Sequence, residues 1–178
     1  SVAKRALAEV VDNLPKDRKI RVLEVGAGTG GTTSFILDAF PSDRTEYVFT
    51  DVGAAFLPKA REKFGEYSFV EYKVLDIERD PLAQGFEANS FDLVISANCV
   101  HATRDLTETL AHIRQLMAPS GLLMLLEGIQ PQRWIDLTFG LTDGWWRFTD
   151  TDVRENYPLI GHHEWSSVSY THLTLPTT

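Results

Sequence analysis

Apolar residues recur along this chain at two periods that alternate. Val2, Ala6, Leu7, Val10, Val11 and Leu14 share one face of a helix, which Pro15 closes. Residues 20–25 form an apolar run of strand length, and helical spacing returns over 32–40 until Pro41 stops it. The cycle then repeats. A strand over 47–50 ends at Asp51, and a helix follows with Phe56, Ala60 and Phe64 on one face and Pro58 in its first turn. Residues 69–75 read as a third strand ending at Asp76, and 91–97 as a fourth. Asp105 and Glu108 have the spacing of a capping box, ahead of a helix lined by Leu106, Leu110, Ile113 and Met117. Ala118-Pro119-Ser120-Gly121 breaks that helix, and 122–127 form strand five. This order predicts an α/β fold, a Rossmann-like doubly wound parallel sheet with its ligand outside the carboxyl ends of the strands.

Composition narrows the picture. At 178 residues the chain is one domain, long enough to bury a core. Seventeen Lys+Arg against 25 Asp+Glu give a net charge of −8, which argues against a basic nucleic-acid-binding face. The longest apolar run, 122–126, is far too short to cross a bilayer. Cys99 is alone, so no internal disulfide forms, and it reads as a small core residue rather than a nucleophile. Without a signal-like start, the chain is expected to be a cytoplasmic piece of a longer protein. No convincing metal-ligand cluster stands out.

The chemistry collects where the predicted strands end. Gly26, Ala27 and Gly28 open a glycine turn between strand one and a helix, so the backbone can turn sharply and approach a ligand. Gly26-x-Gly28-x-x-Gly31 fits the dinucleotide fingerprint, but Glu24 just before it would repel a diphosphate. A carboxylate there would instead attract an ammonium or a sulfonium, and S-adenosylmethionine carries both. Asp51 can accept from both hydroxyls of a ribose, and Asp76 from an adenine amino group with Ile77 packing on the ring. Each Asp alone could equally be a helix cap or a solvated loop end. Asn98 and His101 follow strand four, and Glu127 ends strand five.

The runs Leu23-Glu24-Val25-Gly26-x-Gly28-x-Gly30, Phe49-Thr50-Asp51 and Phe91-Asp92-Leu93-Val94 resemble class I S-adenosylmethionine-dependent methyltransferases. Asn98-Cys99-Val100-His101-Ala102-Thr103 together with Leu125-Leu126-Glu127-Gly128 resemble, more specifically, the C-methyltransferase domains of polyketide synthases. The resemblance spans about residues 14–165. It implies a class I methyltransferase fold, C-terminally truncated, because the last two strands of that fold are missing or cut short. It also implies methylation at the α-carbon of a β-ketoacyl thioester on an acyl carrier protein, beside neighbouring synthase domains. The chemistry of the residues agrees: forming an enolate needs a general base, His101 suits that role, and Glu127 could orient its ring. The cofactor contacts would be Glu24, Gly26, Ala27, Gly28, Asp51, Asp76, Ile77 and Asn98.

Trp134, Phe139, Trp145, Trp146 and Phe148 make the next stretch aromatic. It is either an apolar lid over the acyl pocket or plain packing against the sheet edge, with no single residue assignable. The N-terminal lid segment usual in such synthase domains is absent from the sequence. Residues 1–168 read as the methyltransferase domain, and 169–178 as a non-native tail resembling adapter read-through. Two other functions fit the scaffold: a small-molecule O- or N-methyltransferase, and a catalytically silent domain kept for architecture. The intact Glu24, glycine loop, His101 and Glu127 argue against silence.

Overall fold

A computed structural model describes residues 2–173, with side chains over 4–170. Five strands form one sheet: β1 (Ile20–Val25), β2 (Thr45–Asp51), β3 (Val70–Val74), β4 (Phe91–Ala97) and β5 (Met117–Leu126). Their order is β3-β2-β1-β4-β5, and every pairing is parallel. The helices are α1 (Val2–Asn13), α2 (Thr33–Ile36), α3 (Phe56–Lys63), α4 (Leu106–Leu116), α5 (Arg133–Thr138) and α6 (His162–Leu173). None is long and apolar enough to cross a membrane, among the described residues.

Alternation along the central strands feeds two cores. Leu23, Val25 and Val94 pack with Leu106, Leu110 and Ile113 of α4 and with Trp165 and Val168 of α6. Val22, Tyr47, Phe49, Leu93 and Ile95 pack on the other face with Leu7 and Val11 of α1 and Leu57, Ala60 and Phe64 around α3. The expected doubly wound parallel sheet is therefore present, and its central strand β1 is covered on both faces.

Three expected elements differ in detail. The helix expected over 32–40 is α only over Thr33–Ile36 and tightens to a 3-10 turn over Leu37–Ala39. Tightening brings Leu37 and Phe40, three apart, onto one buried face, as the 3-10 period requires. Strand five begins five residues early. Met117 already pairs with Phe91, the chain then kinks through Ser120 at φ 63°, and pairing resumes with Leu122 opposite Leu93. Because β5 ends at Leu126, Glu127 lies just past the strand. Of the suspected tail, residues 169–173 continue α6, and 174–178 lie outside the described residues.

Asp92 ties the lower end of the sheet together. Its Oδ2 accepts from the Arg21 backbone N–H at 2.9 Å, and its Oδ1 pairs with Arg18 at 2.7 Å. Asp105 caps α4 as expected, accepting from the Glu108 N–H at 3.0 Å. Asp92→Ala should leave the Arg21 N–H of β1 without this partner and lower unfolding stability by about 1–3 kcal/mol in urea titration.

Candidate active site

The glycine loop leaves β1 with Gly26, Gly28 and Gly30 all at positive φ, 67°, 56° and 71°. Gly26 has a second reason to lack a side chain: a Cβ there would lie 2.1 Å from Cys99 Sγ. At Gly28 a Cβ would meet nothing within 4 Å, so the loop is open on that side. Asp51 braces the open side from β2. Its Oδ2 accepts from Gly28 N at 2.8 Å and its Oδ1 from Gly53 N at 2.7 Å. Each oxygen thus keeps one free acceptor direction for a ligand.

Glu24 sits beneath this loop, only 1% exposed. Its Oε2 accepts from the Tyr47 hydroxyl at 2.6 Å and the Thr33 hydroxyl at 2.7 Å. Its Oε1 is buried without a partner. Burial raises the carboxyl's pKa, and the two hydroxyl hydrogen bonds offset part of that rise. An unpartnered buried carboxylate oxygen below an open glycine turn fits a cationic ligand group.

Asp76 follows β3. Its Oδ1 accepts from the Glu78 N–H at 3.1 Å, and its Oδ2 pairs with Arg79 at 3.2 Å. Ile77 is buried in the α4-side core, and its carbonyl accepts from His112 at 2.8 Å. Asn98 is exposed at φ 50° beyond β4, its N–H donating to the Leu126 carbonyl at 2.8 Å.

After Asn98 the chain makes a 3-10 turn over Val100–Ala102 that carries His101. Glu127, arriving from β5, closes on this turn. Its Oε1 accepts from the N–H groups of Val100 at 2.8 Å and Cys99 at 3.2 Å. Its Oε2 lies 2.5 Å from His101 Nδ1. A carboxylate so placed accepts, so Nδ1 carries the hydrogen and Nε2 is left as the basic nitrogen. His101 is 7% exposed, with the Trp145 ring edge-on at 5.4 Å. The Cys99 thiol is pushed up to about 12, first by burial and then by Glu127 and Asp51, so it is no thiolate nucleophile.

Beside the pair opens a cavity of about 780 Å³, lined by Asn98, His101, Trp134, Phe139, Trp145 and Leu159 among others. The aromatic stretch lines this cavity and packs on itself. Phe139 and Trp145, both in the cavity wall, stack at 5.9 Å, and Trp145 meets Tyr157 edge-on. Leu137 and Leu141 on the same stretch remain exposed.

Of the residues singled out in the sequence, His101, Glu127 and Asn98 are brought together, and Glu24, Gly26, Gly28 and Asp51 form a second group. Cys99 against Gly26 joins the two. Sequence reasoning passed over Tyr47 and Thr33, which hold Glu24, and Asp150 and Arg154, which lie under the His101 turn. Residues 150–154 form a turn and not a helix, so no periodicity marks Asp150 or Arg154 in the sequence.

Residues 23–123 match the family described as a methyltransferase domain. The non-reducing polyketide synthase mapC of Penicillium roqueforti (strain FM164) is 44% identical over 151 residues, which is 81% of this chain and 6% of that protein. The chain thus spans a small fraction of the curated relatives it matches. The solved CurJ carbon methyltransferase superposes with a TM-score of 0.93 at 48% identity, over 99% of this chain and 48% of that one. The trans-methyltransferase CalH, in complex with SAH, gives a TM-score of 0.83 at 36% identity, over 96% of this chain and 47% of that one.

Because burial raises the Glu24 pKa, the folded state binds its proton more tightly than the unfolded chain does. Glu24 therefore adds most stability below its unfolded pKa and loses that contribution as pH rises through the folded value. Glu24→Gln removes this dependence. The melting temperature of the variant minus that of the wild type should grow more positive from pH 5 to pH 8 in calorimetric scans.

Proposed function

The chain belongs to the methyltransferase domain family, with relatives among the carbon-methyltransferase domains of polyketide synthases, and from this premise we propose its reaction. The substrate is a β-ketoacyl thioester on an acyl carrier protein, and the product carries a methyl group on the α-carbon. The observation that supports this reading is the His101–Glu127 pair, 2.5 Å apart, with His101 in the wall of an aromatic-lined cavity.

The cofactor in this reading is S-adenosylmethionine, which supplies a methyl group on a sulfonium and needs no metal to make it electrophilic. Gly26, Ala27 and Gly28 would hold it by their backbone, with Glu24 beneath the loop facing its cationic end. Asp51 would accept from the ribose, and Asp76 from the adenine amino group. Ile77, nearly all of it committed to the core, would offer the ring only an edge. Asn98 lines the acyl cavity and directly precedes Cys99, whose side chain packs against Gly26 of the loop.

His101 Nε2 takes a proton from the α-carbon, leaving the substrate as an enolate. An α-hydrogen between a ketone and a thioester carbonyl is acidic enough for a positioned imidazole. Glu127 keeps Nδ1 protonated before the transfer and stabilises the imidazolium after it. Its own charge is held by the Cys99 and Val100 N–H groups, so the carboxylate is ready without rearrangement. Trp145 and Phe139 exclude water from the enolate and accommodate an apolar acyl chain. Neighbouring synthase domains would deliver the carrier protein.

Isothermal titration should show binding of S-adenosylhomocysteine, the demethylated product, and none of NAD or NADP. Comparable affinity for a dinucleotide would overturn the cofactor assignment. His101→Ala should cut methyl transfer to a β-ketoacyl thioester by about 10²–10⁴-fold while the titration stays unchanged. Glu127→Gln should lose less, and the double variant should be hardly worse than His101→Ala alone. Full transfer and full α-hydrogen exchange in His101→Ala would move the base elsewhere. Methylation of a hydroxyl or amine in place of the α-carbon would favour an O- or N-methyltransferase.

A further inference from the structure

Arg154 belongs to none of the motifs above, yet it is among the largest fully buried side chains, 1% exposed. Its guanidinium directs its donors at one short piece of backbone. Nη1 donates to the His101 carbonyl at 2.8 Å, and Nη2 to the carbonyls of Thr103 and Arg104, each at 2.9 Å. Nε donates to Asp150 Oδ1 at 2.6 Å, and the Phe148 ring lies 5.1 Å from the guanidinium carbon. Asp150 uses its other oxygen to accept from the N–H of Leu106, the first residue of α4, at 2.9 Å.

We propose that Arg154, with Asp150 as its counter-ion, is a positioning residue that sets where the His101 imidazole stands against the acyl cavity. The inference rests on His101 being the base. His101 sits in a three-residue turn, too short to fix its own orientation. Glu127 grips the turn from the amino side, through the N–H groups of Cys99 and Val100 and through the ring itself. Arg154 grips it from the carboxyl side, through the His101, Thr103 and Arg104 carbonyls. Between them, the two hold the backbone on both the amino and the carboxyl side of the histidine. With Glu127 alone, the ring could still swing about its Nδ1 contact and carry Nε2 away from the substrate carbon. Displacing a reacting atom by about 1 Å can cost about 10²-fold in rate.

A planar fork is needed for this. An ammonium is a point charge and cannot reach three carbonyls in fixed directions while also pairing Asp150. Arg154→Lys is therefore the informative change, because it keeps the buried charge that Asp150 requires. In the full-length protein, this variant should lose about 10–100-fold in solvent-deuterium exchange at the substrate α-carbon, measured without methyl donor. Methyl transfer should fall with it through kcat, while KM for the acyl thioester and titration with S-adenosylhomocysteine stay unchanged. The proton resonance of His101 Nδ1–H should broaden or move. Exchange and resonance both at wild-type values would overturn the proposal.

His101→Ala, measured in parallel, separates the two ideas. Exchange lost there but retained in Arg154→Lys removes the role of Arg154 alone, whereas exchange retained in both removes His101 as the base. Should Arg154→Lys not fold, Phe148→Leu takes away the ring on the guanidinium and leaves every hydrogen-bond partner. It should lower exchange in the same direction by a smaller factor, and unchanged exchange in this folded variant would equally overturn the proposal.

Discussion

All five strands point the same way, and this single constraint organises the molecule. Parallel pairing forces each connection to cross a face of the sheet, so every strand delivers its carboxyl end to the same edge. Five loops from distant parts of the sequence meet there. Because β1 is flanked by β2 and β4, the glycine loop is bordered by Asp51 on one side and by the His101 turn on the other. The glycine-loop side and the His101 side of the candidate site are thus adjacent by topology, before any side chain is chosen.

Polar groups at this edge are largely held by the protein before any ligand arrives. Asp51 is fixed by two N–H groups, Glu127 by two more and a ring nitrogen, and Glu24 by two hydroxyls. Such groups cost little to reorganise when charge develops nearby, which is the condition under which electrostatic stabilisation is most effective. Burying them requires that each charge be matched, and Glu24 Oε1 is the place where the matching stops.

Much of this was legible in the sequence, for physical reasons that differ from element to element. Strand β1 and its loop announce themselves because an apolar run, a carboxylate and closely spaced glycines leave few alternatives. His101 and Glu127 could be paired because strand ends in a parallel sheet are neighbours. The break in the helix after the loop was hidden, since helical and 3-10 periods share the same first turn. The early start of β5 was hidden by Pro119 and Gly121, which read as a plain break although the chain stays paired at Met117. Arg154 was hidden more deeply. Its segment has no periodicity, and its role comes from distant backbone carbonyls, that of His101 lying 53 positions earlier in the chain.

The contact between Gly26 and Cys99 carries a consequence for how such a site can change over time. The two positions share one volume: a side chain at the first would occupy the space of the sulfur at the second. Their sizes are therefore tied, and a side chain the size of Cys99 is admitted after β4 only while a glycine follows β1. Neither loop can be exchanged as an independent module with that of another protein. The boundary between the two halves of the site is inherited as a matched pair, whereas the aromatic wall of the cavity lies outside that constraint.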